Sequence, residues 1–145
     1  MSNILKLWAT LGPVGYLPAP GTMGTLVALP LAGAISVLSL NHQGILISMI
    51  CILSLYTIAK VLPFFSVADP SEIILDELVG CLITFYGITY TLPSWIFGFI
   101  LFRLFDIFKP AGIQYIEKLP GAYGILLDDC CAGLFANLIL RYFIL

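Results

Sequence analysis

The sequence predicts an all-α membrane protein: a multi-helix bundle of about five principal helices with short interfacial segments. Three observations carry this prediction. Of the 145 residues, 61% are hydrophobic and only 10% are charged, against roughly 25% charged residues in soluble domains. Long uncharged runs alternate with short polar turns, and no β-type alternation lasts long enough for a barrel. No linker-like stretch divides the chain, so residues 1–145 are expected to form one domain.

The first two predicted helices form a membrane hairpin. Residues 24–40 and 44–59 carry no charge, and a polar tripeptide at 41–43 separates them. Each run is close to the lower limit of about 17–25 residues for a spanning helix. Pro30 is tolerated in such a helix because neighbouring helices can satisfy the freed carbonyl. Residues 1–10 contain too short an apolar core for a signal peptide, so insertion without cleavage is expected.

The next two predicted helices form a second hairpin. The motif Asp-Pro-Ser-Glu at 69–72 has aspartate as N-cap, proline at the first helical position and glutamate in a capping box. It predicts a helix over 70–90. A turn signal at 91–94 follows, and a second apolar helix is predicted over 95–109, where Pro110 forbids continuation.

The uncharged stretch 78–102 leaves an alternative open, because it could form one tilted span. A single span would place the acidic residues that follow on the opposite membrane face. The turn signal favours two helices instead. Residues 113–119 mix apolar and charged side chains, as an interfacial segment does, and glycines at 121 and 124 precede a final helix to residue 145.

The charges fall on one face if both hairpins form. All carboxylates and most basic residues then lie at the same membrane face, which the positive-inside rule makes cytoplasmic, whereas His42 lies opposite. The net charge of −2 and the lack of a basic run exclude a nucleic-acid partner. The four cysteines lie in apolar segments without zinc-type spacing and are expected to be small buried core residues.

Two adjacent acid pairs are the most informative feature. Asp76-Glu77 and Asp128-Asp129 each precede a glycine by about one turn. A carboxylate at a bilayer centre costs about 2.5–3.5 kcal/mol, so these side chains should lie near helix ends and face the bundle interior. Oxygen ligands without a partner histidine or thiolate favour magnesium, manganese or calcium over zinc, with magnesium the natural choice. A solvated surface remains the alternative for Asp76-Glu77.

The motif Pro-Gly-Thr-Met-Gly-Thr at 20–25 directly precedes the first apolar helix. Its glycines free backbone N–H groups at a positive helix terminus, which predicts a phosphate site that involves Gly21, Thr22 and Gly24. The same residues also make an ordinary helix start. In either case Thr22 or Thr25 is expected to be the N-cap.

Basic residues recur beside a third acid. Arg103, Asp106 and Lys109 are spaced by three, so they project from nearly one helix face, either as an ion triplet or as the wall of a site. A dianionic phosphate monoester would be repelled by the acidic cluster unless a metal bridged the two and Arg103 or Lys109 helped. Metal would also lower the pKa of a bound water, and a spare carboxylate would take the proton. His42 is the only histidine, so a histidine nucleophile is not expected.

Four motifs in order resemble the phosphatidylglycerophosphatase A family: PGTMGT at 20–25, DELVG at 76–80, RLFDIFKP at 103–110 and GILLDDCCAG at 124–133. The resemblance implies a magnesium-dependent lipid phosphatase that converts phosphatidylglycerophosphate, its phospholipid substrate, to phosphatidylglycerol and inorganic phosphate at the bacterial inner membrane. Alternatives are a phosphatase of another lipid or small phosphate monoester, a small membrane transporter and a purely structural subunit.

Site residues follow from the motifs and the resemblance together. The expected metal ligands are Asp76, Glu77, Asp106, Asp128 and Asp129. Four of these acids are also expected to be catalytic, namely Asp76, Glu77, Asp128 and Asp129. Phosphate binding is expected from Gly21, Thr22, Gly24, Arg103 and Lys109. The nucleophile stays open between water and an aspartate that forms a covalent phosphate ester.

Overall fold

The protein is all-helical in a computed structural model that describes residues 2–144, with side chains for residues 3–143. Within these residues there are seven α-helices and no strand. Five helices have ten or more residues and two are short, which confirms the all-α prediction. In chain order they are α1 Ser2–Ala9, α2 Pro20–Ser36, α3 Leu40–Val61, α4 Leu75–Thr84, α5 Leu92–Phe108, α6 Ile113–Ile116 and α7 Ala122–Ile144.

Two segments are long and apolar enough to cross a membrane. They are Leu40–Phe64, with a mean hydropathy of 2.3, and Ala122–Phe143, with a mean hydropathy of 1.5. Only 28% of the apolar window in the first segment is buried. A soluble core helix would be covered by protein, so this exposed apolar surface favours association with lipid.

Helix α4 forms the centre of the bundle. It packs against α7, α2, α3 and α5, and most of its residues are buried, including Leu75, Val79 and Leu82. A helix of ten residues is about 15 Å long, half the roughly 30 Å of a hydrocarbon core. Helix α4 is therefore not itself a membrane span, and it supports its side chains through contacts with the longer helices.

Two separate helices lie where the second hairpin was predicted, but the start of the first of them differs from the prediction. Helices α4 and α5 are separate, and Thr91 begins α5 in a capping box with Ser94, so 78–102 is not one span. The prediction that Asp69 caps a helix over 70–90 is wrong. Helix α4 begins at Leu75 because Ile74 adopts φ −132° and donates its N–H to the Ala9 carbonyl, a tertiary contact that holds it outside the helix.

The start of α2 also differs from the prediction. The helix begins at Pro20 after Ala19, whose φ of 55° lies in the left-handed region, and the cap has no side-chain hydrogen bond. Thr22 and Thr25 lie inside the helix, and the Thr25 hydroxyl donates to the Gly21 carbonyl at 2.8 Å. The N-cap prediction for both threonines is therefore wrong.

The turn of the first hairpin lies four residues earlier than predicted, at 37–39 instead of 41–43. Gln43 explains the difference. Its buried side-chain amide donates to the carbonyls of Ser36 and Leu38 at 3.3 and 2.8 Å, which satisfies acceptors left free at the end of α2. The polar tripeptide therefore begins α3 and caps its neighbour.

A polar network holds the ends of α4 and α7 together at the end of the bundle opposite to the start of α2. The Asn137 amide donates to the carbonyls of Thr84 and Tyr86, each at 2.9 Å. Arg141 donates to the Tyr86 carbonyl and to the side-chain oxygen of Asn137, each at 2.8 Å. We call this group of residues, with Gln43, the far-end network.

The cysteine prediction holds for one residue. Cys81 is buried in α4, whereas Cys51, Cys130 and Cys131 are only half-buried. These three lie on the surfaces of α3 and α7, the two helices with the candidate membrane spans.

Candidate active site

A cavity of about 440 Å³ opens at the end of the bundle where α2 begins and α5 ends. We call it the acidic cavity. Gly24 does not line it, because Gly24 is buried against Ile74. The other predicted site residues all line it: Gly21, Thr22, Asp76, Glu77, Arg103, Asp106, Lys109, Asp128 and Asp129.

Three carboxylates meet at the base of the acidic cavity. Asp76 and Glu77 come from α4 and Asp129 from α7, and one oxygen of each lies within 4.8 Å of the others. Among the described residues, the buried oxygens Asp76 Oδ1, Glu77 Oε2 and Asp129 Oδ2 have no hydrogen-bond partner. Buried carboxylates are costly without a compensating charge. An oxygen-only set with unmet negative charge fits a hard divalent cation such as magnesium.

Two glycines bring the acidic residues of α4 and α7 together. A Cβ atom added to Gly133 would overlap the Gly80 carbonyl, and one added to Gly80 would lie 2.7 Å from the Asp129 carbonyl oxygen. The backbones of α4 and α7 therefore touch directly. This close approach is what places Asp129 beside Asp76, since larger residues would separate the two helices.

Burial is the largest influence on the pKa values of the two acidic residues of α4, which lie outside the candidate spans. Burial, together with the negative charges of Glu77 and Asp129, raises the pKa of Asp76 well above its usual value. Burial also raises the pKa of Glu77, to about 7. Without a cation the cluster therefore retains protons that an exposed carboxylate would lose.

The other two predicted metal ligands are each paired with a base. Asp106 accepts a hydrogen bond from Arg103 at 2.5 Å, and Asp128 accepts one from Lys109 at 2.5 Å. The Lys109 ammonium also lies 2.7 Å from Glu117. The predicted triplet on one face of a helix is therefore wrong for Lys109, which follows α5 as its C-cap with φ 45° and turns toward α7.

Two carboxylates, Asp128 and Glu117, keep the Lys109 side chain protonated. Burial alone would lower the pKa of Lys109, but the hydrogen bonds from its ammonium to Asp128 and Glu117 outweigh burial, so the pKa lies above its usual value. A permanent cation thus lies at the wall of the acidic cavity.

The first turn of α2 faces the acids across the cavity. A Cβ atom at Gly21 would lie 3.0 Å from a guanidinium nitrogen of Arg103 and would overlap the Glu77 carboxylate. The backbone N–H groups of Gly21 and Thr22 belong to the first turn, where a helix offers no acceptor. Arg103 Nε is buried and, within residues 2–144, lacks a hydrogen-bond partner. Unused donors and a cation therefore adjoin the acidic cluster, an arrangement suited to an anion held next to a metal.

Two acidic residues of the cavity were not among the predicted site residues. Asp69 lines the cavity from the loop before α4, and Glu117 follows α6. The sequence signal for both was weak, since each lies in a loop-like segment and only the expected common face of the charges linked them to the cluster.

Comparison with known proteins gives a consistent result. The family model described as Phosphatidylglycerophosphatase A matches residues 7–144. The Phosphatidylglycerophosphatase A of Haemophilus influenzae is 36% identical, with 95% of this chain and 93% of that protein covered. The protein of the same name from Escherichia coli K12 is 31% identical, with 99% and 85% covered.

A third relative carries a different name. A Bacteroides thetaiotaomicron protein, provisionally named a phosphatidylinositol-3-phosphatase, is 32% identical, with 87% of this chain and 84% of that protein covered. No solved protein structure matches the chain.

Proposed function

Because the chain belongs to the phosphatidylglycerophosphatase A family, we propose that it hydrolyses phosphatidylglycerophosphate to phosphatidylglycerol and inorganic phosphate, with magnesium as its cofactor. The family name describes phosphoric monoester hydrolases, so the protein is an enzyme of that class. The observation that carries the metal-dependent mechanism is the cluster of three carboxylates from α4 and α7, each of which has a buried oxygen without a partner among the described residues.

Asp76, Glu77 and Asp129 are the residues proposed to hold the metal. When bound, magnesium would neutralise phosphoryl charge and lower the pKa of a water molecule. The sequence predicted Asp106 and Asp128 as metal ligands as well. We propose a different role for them, because each already accepts a hydrogen bond from a basic side chain. They position Arg103 and Lys109, as carboxylates that support a functional side chain do.

Phosphate is held on the opposite wall. Arg103 donates to phosphoryl oxygens through the guanidinium edge that Asp106 leaves free, and Lys109 adds a second positive charge. Gly21 and Thr22 line the same cavity from the first turn of α2, where backbone N–H groups without helical acceptors favour an anion. Since the developing negative charge of the transition state falls on these oxygens, the four donors also stabilise it.

In the proposed reaction a water molecule attacks phosphorus and the ester bond to glycerol breaks. A cluster carboxylate accepts the proton of the attacking water and passes it to the glycerol oxygen as that oxygen leaves. The second route is attack by an aspartate, which would leave a phosphorylated protein after acid quenching. Water is the proposed nucleophile because the three carboxylates with unpaired oxygens are better explained as metal ligands than as nucleophiles that accept the phosphoryl group.

The proposed location is the bacterial cytoplasmic membrane, with several crossings and with the acidic cavity on the cytoplasmic face. Lys60, Lys109 and Lys118 lie at the cavity end of the helices, and the positive-inside rule assigns that end to the cytoplasm. Helix α7 leads from there to the opposite end. An alkaline phosphatase reporter fused after Leu145 should therefore be active in the periplasm, and an inactive reporter would contradict this orientation.

The direct test is release of phosphate by the purified protein in detergent micelles. Phosphatidylglycerophosphate should be hydrolysed, EDTA should stop the reaction, and added magnesium should restore it. Activity that survives chelation would contradict the metal site. Phosphatidylinositol 3-phosphate belongs in the same assay because of the name of the Bacteroides relative, and faster hydrolysis of that lipid would replace the proposed substrate.

A further inference from the structure

A second cavity, which we call the apolar groove, adjoins the acidic cavity on the outside of the bundle. It measures about 770 Å³ and lies between α3 and the start of α7. Its walls include Ile52, Leu55, Tyr56, Leu62 and Tyr123. Three of these, Ile52, Tyr56 and Tyr123, are exposed. The groove therefore presents an open apolar surface rather than an enclosed core void.

The apolar groove and the acidic cavity share part of their walls. Ala68 and Gly121 line both, so the two cavities meet at this pair of residues. From there the groove follows α3 through Ala59 to Ile52, two helical turns or about 10 Å away. A shallower cavity continues from Ile52 to Leu40 along the same helix.

The direction of the groove matters because α3 lies in the more hydrophobic of the two candidate spans. A track that follows a spanning helix runs across the bilayer, in the direction of lipid acyl chains. One end of the track is apolar and the other end reaches buried carboxylates and Arg103. The Lys60 ammonium lies 5.7 Å from the centre of the Tyr56 ring, so it places a positive charge beside a residue of the groove wall.

We propose that the apolar groove binds an acyl chain of the lipid whose phosphate is hydrolysed in the acidic cavity. This rests on the proposed function and adds a subsite to it. The occupant must be apolar along α3 and anionic at the junction, which describes a single lipid molecule with its headgroup in the cavity.

The groove would set how deeply the headgroup enters. Moving a lipid tail from the bilayer to the groove changes its free energy little, because both environments are apolar. The benefit is instead one of position, since a chain held along α3 fixes the ester phosphate relative to Arg103 and the carboxylates. Small misplacements of a reacting group can cost about 10² in rate, so filling the groove should reduce turnover of lipid substrates selectively.

The test uses Ala59→Trp, which fills the groove without touching the acidic cavity. We compare kcat/KM for dipalmitoyl phosphatidylglycerophosphate and for its deacylated, water-soluble headgroup, both in the same detergent. Ala59→Trp should lower the value for the diacyl lipid at least about tenfold and leave the headgroup value within about twofold. Ala34→Trp is the matched control, because Ala34 is exposed on α2 and lines neither cavity. It should change neither value.

A second variant probes the length of the groove. Ile52→Trp fills the distant end, so it should slow hydrolysis of long-chain lipids while short-chain lipids that do not reach Ile52 react at the parent rate. This variant also serves if Ala59→Trp fails to fold. If Ile52→Trp slowed hydrolysis of short-chain and long-chain lipids equally, the proposal that the acyl chain lies along the groove would be overturned.

A measurement independent of turnover locates the chain directly. The parent protein is irradiated with phosphatidylglycerophosphate that carries a diazirine on one acyl chain. Label should concentrate on the groove residues Ile52, Leu55, Tyr56 and Tyr123. Equal labelling of Leu134 and Leu138, which are exposed on α7 outside the groove, would overturn the proposal.

The outcomes separate the groove from the proposed function. If the parent protein releases no phosphate from either substrate, the proposed function is wrong. Two results with an active parent would show that the groove is not an acyl subsite. In one, Ala59→Trp hydrolyses the diacyl lipid at the parent rate; in the other, its kcat/KM falls equally for both substrates. A change of oligomeric state in Ala59→Trp, with unchanged kinetics, would instead identify the groove as a contact between copies of the chain.

Discussion

Two groups of polar residues at opposite ends of the bundle, the far-end network and the acidic cluster, differ in their hydrogen bonding, although α4 and α7 contribute to both. At the far end, the side-chain nitrogen and oxygen of Asn137 both form hydrogen bonds. The same is true of Gln43, whose nitrogen donates to two carbonyls and whose oxygen accepts from the Gly87 N–H at 2.9 Å. At the cavity end, oxygens of Asp76, Glu77 and Asp129 are buried and, among the described residues, unpaired. The difference distinguishes polar groups that stabilise the fold from polar groups left free for a ligand.

The energetic reason is the cost of burying an unpaired polar group, about 1–3 kcal/mol and more for a charge. The far-end network avoids this cost by matching donors to the free carbonyls at the end of α4. The acidic cluster bears the cost, which a bound cation would offset. Substitutions at the two ends should therefore separate activity from stability.

The largest effect is expected for Asp129→Asn. The substitution keeps the size of the side chain and removes a charge from the proposed metal site, so kcat should fall roughly 10²–10³-fold, as for loss of one strong electrostatic contact. Stability should hold or rise, because an unpaired buried carboxylate disappears. Rates on micellar phosphatidylglycerophosphate and thermal unfolding without metal measure both quantities.

A matched change at the far end provides the control for this substitution. Leu138→Ala alters an exposed residue of the same helix and should leave both rate and unfolding temperature at parent values. An Asp129→Asn protein that retains more than about a tenth of the parent rate would contradict the assignment of Asp129.

Gly133→Ala tests the contact on which both ends depend. The added methyl group overlaps the Gly80 carbonyl, so α7 must move away from α4. Overpacking of this kind costs about 1–3 kcal/mol, and the same movement takes Asp129 away from Asp76. Unfolding temperature and metal-dependent activity should both fall. Loss of activity with full stability would show that the two helices separate without strain.

Asn137→Leu should show the reverse of the Asp129 result. The leucine still fills the site but has no polar atoms, so it leaves the Thr84 carbonyl and the Arg141 Nε–H without their present partners. This should cost about 1–3 kcal/mol of stability. Activity per folded molecule should stay near the parent value, since Asn137 does not line the acidic cavity. Denaturant titration in detergent measures the loss. Selective loss of kcat without loss of stability would mean that the far end communicates with the site.

The sequence allowed prediction of the features that depend on local chemistry. The capping residues Thr91 and Ser94 marked the second hairpin, and the adjacent acids and following glycines marked the residues that meet at the cavity. Pairings across the fold were not accessible in this way. Ile74 delays the start of α4 through a bond to Ala9, and no local pattern reports such a contact.

The same limit applied to the charges at the site. Their spacing of three predicted that Lys109 projects from the same helix face as Arg103 and Asp106. Instead Lys109 ends α5 in a left-handed conformation, and its ammonium pairs with Asp128. That pairing divides five similar carboxylates into three with unpaired oxygens and two already held by bases. Sequence spacing gives no distance between α5 and α7, so the division appears only in three dimensions.

The last prediction concerns protons at the acidic cluster. In the metal-free protein the pKa of Glu77 is raised to about 7 and that of Asp76 lies well above its usual value. Below these values the folded protein holds protons that magnesium must displace, since metal ligands bind as carboxylates. Apparent magnesium affinity should therefore rise with pH through neutrality, by at most tenfold per unit for each proton released.

Magnesium titrations of activity at about pH 6 and about pH 8 measure this change, and calorimetry in two buffers of different ionisation enthalpy counts the protons released. Glu77→Gln removes one titrating group, so any residual binding should depend less on pH. The far-end network provides the internal contrast, because Asn137 and Gln43 do not titrate and Asn137→Leu should leave the pH dependence unchanged. Equal affinity at both pH values would show that the cluster is already ionised, and that its carboxylates are less deeply desolvated than their burial indicates.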